Sequence, residues 1–140
     1  MDDLNRREIQ EAIVAADDAI VHLRSAREAL GSAGRWGLLD MFGGGWISGL
    51  VKHSRMSDAE NEIENARYAL QRFSKELRDV NGYSSIHISE FLTFADFVFD
   101  GFLVDFMVQS KISRAKQQCD EAIYRVAAVR EELENRLLSA

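Results

Sequence analysis

No proline interrupts the 140 residues, although ordinary usage near 5% would place about seven of them there. Seven of the nine glycines fall between residues 31 and 49 (Gly31, Gly34, Gly37, Gly43, Gly44, Gly45 and Gly49), which leaves Gly82 and Gly101 elsewhere. A chain that lacks the strongest helix breaker and confines the next strongest folds mostly as long helix. The same distribution argues against collagen-like, disordered, small disulfide-rich and many-stranded β architectures. The length suits one domain around one core, so residues 1–140 read as a single helical unit.

Apolar residues recur in steps of four and three, the seam of a helix that packs nearly parallel to its neighbours. Over about 3–30 the expected core stripe is Ile9, Ile13, Ala16, Ile20, Leu23, Arg27 and Leu30, with Gly31 placed to end the helix. A second helix is expected over about 57–80, with the stripe Met56, Ala59, Ile63, Ala66, Leu70, Phe73 and Leu77. Ser57 followed by Glu60 reads as its capping box, and Asn81-Gly82 as its end. The last helix, about 111–138, carries Ile112, Ala115, Cys119, Ala122, Val126, Val129 and Leu133.

The last two stripes have the same spacing. Sliding the chain by 56 residues aligns 40–77 with 96–133 and leaves nine identities, among them Asp40/Asp96, Gly45/Gly101, Ala59/Ala115, Tyr68/Tyr124 and Leu77/Leu133. Composition alone gives roughly two or three. The expectation is an internal duplication, each copy an apolar connector, a short polar break and a long amphipathic helix. The connectors, 38–52 and 89–108, read as buried helices or as hairpins turning at Gly43-Gly44-Gly45 and Asp100-Gly101. Helix is preferred, because the hairpin would set Asp96 opposite Asp105 and because the seam of the last helix continues backward through Val108 to Gly101. The expected architecture is therefore all-α: an elongated antiparallel bundle of three long helices with two short apolar helical connectors.

Acids exceed Lys plus Arg by 23 to 17, and no basic face is concentrated along the chain, which argues against a nucleic-acid partner. Cys119 is the single cysteine, so an intrachain disulfide and a cysteine zinc cluster are excluded. With no apolar signal region after Met1, a cytoplasmic protein is expected. The apolar run Phe91–Val108 carries Asp96, Asp100 and Asp105, too many carboxylates for lipid, so a membrane partner is not expected.

Trp36-Gly37-Leu38-Leu39-Asp40, then Gly43-Gly44-Gly45 and Lys52-His53-Ser54, resemble segments of a family of small uncharacterised bacterial helical proteins. So do Phe91-Leu92-Thr93-Phe94-Ala95-Asp96, Asp100-Gly101 and Val108-Gln109-Ser110-Lys111-Ile112. The resemblance covers about 35–115. It implies no activity and carries over no catalytic residue.

Three groups of residues could form sites. Gly43, Gly44 and Gly45, followed by Lys52 and His53, could converge backbone N–H groups and positive charge on a phosphate, although neither nucleotide-binding fingerprint is present. The alternative is close helix packing at Gly45 and Gly49. His53 with Asp96 and Asp100 offers an imidazole and paired carboxylates to a metal, but the Glu-x-x-His pairs of di-metal bundles are missing. There the alternative is polar capping of the connectors. Phe94, Phe97, Phe99, Phe102 and Phe106 crowd more aromatic surface into one connector than a small bundle readily hides, which suits an interface as well as core filling. Cys119 reads as core rather than nucleophile, and His22 as the surface partner of Asp18. No catalytic constellation emerges and no cofactor is expected. The expected function is a non-enzymatic interaction or scaffold bundle, homodimeric through the connectors or bound to another protein. A metal- or phosphate-binding protein is the alternative.

Overall fold

A computed structural model describes residues 3–43, 46–80, 85, 87–95 and 112–139, with side chains described for 3–31, 59–80, 85, 87–95 and 114–139. The described residues are helical throughout apart from Val80 and Ser85, and contain no strand. The helices are α1 (Asp3–Gly43), α2 (Trp46–Asp79), α3 (87–95) and α4 (Ile112–Ser139).

Two expected boundaries move. α1 does not stop at Gly31 but runs on to Gly43, and α2 begins at Trp46 rather than at Ser57. The first connector is thus not a separate short helix, because its halves are the end of α1 and the start of α2. Gly31 alone cannot end a helix that no proline follows, since a mid-helix glycine costs only about 1 kcal/mol. Ser57 caps only a helix that has not already begun. The hairpin alternative fails for this connector, whose residues 38–43 and 46–52 are helical. In the second connector 89–95 is helical, while the Asp100-Gly101 turn lies outside the described residues.

The seams of α2 and α4 match expectation at every described position. Ala59, Ile63, Ala66, Leu70, Phe73 and Leu77 are buried on α2, as are Ala115, Cys119, Ala122, Val126, Val129 and Leu133 on α4. The seam of α1 is different. Ile9, Ala16, Leu23 and Leu30 are buried as expected, but the intervening positions are Ala12, Ala19 and Ala26. Ile13 and Ile20 are half-buried at the margin, and Arg27 lies outside, its Nε donating to Asp120 on α4. Packing explains the turn of the helix. α1 runs against both α2 and α4, and alanine lets backbones approach while leaving room for the rings of Phe73 and Phe91. Turning Arg27 inward would bury an unpaired charge.

α3 docks on α2 and α4. Phe91 is fully buried, its ring centroid 5.1 Å from that of Phe73, and the Arg125 guanidinium lies 4.9 Å from the centroid of Phe94. Ser85 caps α3: its Oγ accepts from the Ile88 N–H at 3.2 Å and donates to Glu132 Oε2. The one buried polar side chain among the described residues, Ser74, satisfies its hydroxyl on the Leu70 carbonyl at 3.0 Å.

Candidate interaction surfaces

Of the residues singled out from sequence, few fall where side chains are described. Gly43 closes α1, and Lys52 and His53 lie on the α2 backbone. Gly44, Gly45, Asp96, Asp100, Phe97, Phe99, Phe102 and Phe106 lie outside the described residues. Phe94 is buried beneath Arg125, the placement that core filling requires of it.

Cys119 is fully buried, and burial, reinforced by the neighbouring Asp120 carboxylate, pushes its thiol up to about 12. A thiol so held stays protonated and is no nucleophile at neutral pH. His87 Nε2 lies 3.5 Å from Glu132 Oε1, while Ser85 donates to the other oxygen of the same carboxylate. Both side chains converge on Glu132, so the histidine does not take the serine's proton and the trio is a latch between α3 and α4. No group of three or more His, Cys, Asp or Glu side chains poised to hold a metal occurs among the described residues. Nor is any helix there long and apolar enough to cross a membrane.

Among the described residues, two surfaces lie between α1 and α4. The first is an open apolar groove of about 450 Å3 lined by Gln10, Ile13, Val14, Glu134, Leu137 and Leu138. Val14 is 61% exposed and Leu138 84%, and Val21, two turns along α1 from Val14, is 59% exposed. The four-three stripe masks this surface in the sequence, because Val14 and Val21 each follow an isoleucine of that stripe, Ile13 and Ile20. The available signal was their seven-residue spacing. The second is a cleft of about 400 Å3 lined by Arg24, Arg27, Glu28, Gly31 and Lys116. Arg27 spends its charge on Asp120. Between the two surfaces Arg130 donates to Asp17, and that hydrogen bond holds the guanidinium pKa above its ordinary value.

No protein-family model, curated protein or solved structure matches the chain.

Proposed function

We propose that the protein is a non-enzymatic, self-associating helical bundle that acts as an interaction or scaffold element in the cytoplasm. The observation that carries this reading is the contiguous apolar surface of Val14, Leu137, Leu138 and the half-buried Ile13, on a molecule whose described core seams are already filled. Scattered exposed apolar side chains are ordinary, but a connected set lining a groove favours a protein partner. The protonated Cys119 and the Ser85–Glu132–His87 latch support a role without covalent or acid–base chemistry.

The architecture we infer is an elongated antiparallel bundle built on an internal duplication. Asp17–Arg130 and Arg27–Asp120 support opposite directions for α1 and α4, since numbers rise along one helix as they fall along the other. The duplication is supported by burial: residues 59–68 and 115–124 share one pattern of buried, half-buried and exposed positions, with Tyr68 and Tyr124 exposed at equivalent places. Helical periodicity alone accounts for part of that match, and the identities at Ala59/Ala115, Ala66/Ala122 and Tyr68/Tyr124 for the rest. Sedimentation velocity from dilute to high micromolar concentration tests self-association. The expected result is a species of about twice 15.8 kDa that grows with concentration, and a monomer throughout would contradict the reading.

A phosphate-type ligand is the second reading, favoured by Arg24 and Lys116 on the α1–α4 cleft, where Arg27 already pairs with Asp120. It predicts that inorganic phosphate raises the melting temperature and that Lys116→Glu removes the effect. No shift in the native protein would end it.

A further inference from the structure

The outer face of α1 carries Arg7, Val14, Val21 and Glu28 at seven-residue intervals, all four exposed. Their order is self-complementary in the antiparallel sense. Val14 and Val21 lie equally far on either side of a point between Asp17 and Asp18, and Arg7 and Glu28 are centred on the same point. We propose that this line is the interface between two copies of the chain, joined through an isologous, antiparallel pair of α1 helices. The proposal rests on the self-association reading above and assigns its face.

Laid antiparallel across that point, α1 sets Val14 on the partner's Val21 and Arg7 opposite the partner's Glu28, and the twofold repeats both contacts. The apolar centre adjoins the groove of Ile13, Leu137 and Leu138, and a salt pair closes each end about 31 Å apart at 1.5 Å per residue. A parallel pairing would instead oppose Arg7 to Arg7 and Glu28 to Glu28. The carboxylates nearest the twofold already have partners in their own chain: Asp17 accepts the Arg130 hydrogen bond, and Asp18 Oδ1 lies 3.5 Å from His22 Nε2. A line of seven-residue spacing drifts around a straight helix by about 20° per heptad. The inward seam of α1 has the same period, so one slight supercoil keeps both lines facing their partners.

The test is charge exchange, read by sedimentation velocity with circular dichroism on each variant; the residues are exposed, so native helicity is expected. Arg7→Glu alone and Glu28→Arg alone each convert both end pairs to repulsions and should weaken association about tenfold or more. The double variant restores the pairs and should associate as the native chain does. An equal mixture of the two single variants should form a heterodimer, because each end then joins Glu to Arg. Native-like association of both single variants would overturn this face while leaving self-association standing. Single variants that separate but do not recover on mixing would overturn the antiparallel pairing. A native chain that stays monomeric would overturn the self-association reading itself.

Discussion

Gly31 and Cys119 show how neighbours decide what a residue does. Gly31 sits within the helical run of α1, and a methyl group added there would meet nothing within 4 Å. Gly31→Ala should therefore stabilise the fold by up to about 1 kcal/mol, through helix propensity and a less flexible unfolded chain, measured as a higher melting temperature. Cys119 titrates near its ordinary 9.0 when unfolded and only at about 12 when folded. Below pH 9 both states keep the proton and the stability is fully present. As pH rises from 9 toward 12 the unfolded state loses its proton first, so that stability is lost. Denaturant titrations across this range should show native stability falling more steeply than that of Cys119→Ala. A parallel fall would remove the thiol from the account.

At the scale of elements, the seams of α2 and α4 were legible because an apolar residue, or the solitary cysteine, stands at each four-three step and no second line competes with it. The α1 seam was half legible. Ile9, Ala16, Leu23 and Leu30 lie on both candidate lines, and size favoured Ile13 and Ile20, whereas packing against two helices favoured Ala12, Ala19 and Ala26. Helix ends were read least well, since Ser57 and Gly31 carry local signals that continuing helix overrides. Substitution separates the two candidate seams. Ala19→Leu should overpack the core and cost about 1–3 kcal/mol, while Arg27→Ala should cost about 1 kcal/mol or less, as loss of a surface pair. Ser85→Ala removes the α3 cap and its tie to Glu132. It should cost about 1 kcal/mol and speed amide exchange across 87–95 ahead of α1.

For the whole molecule, the missing prolines and the four-three stripes made the all-α fold legible, but not the surface that remains once the stripes are packed. The groove at Ile13, Val14, Leu137 and Leu138 joins residues far apart in sequence, so no local pattern announces it. The self-complementary order of Arg7, Val14, Val21 and Glu28 was present in the sequence. It marks an outward face only because Ala12, Ala19 and Ala26 face inward. In the proposed dimer this outward line joins two copies of the chain. Its most direct test is the molar mass, by light scattering at high micromolar concentration, of the native protein beside the Val14→Lys/Val21→Lys variant. The account predicts about twice 15.8 kDa for the native chain and the monomer mass for the variant; equal masses would contradict it.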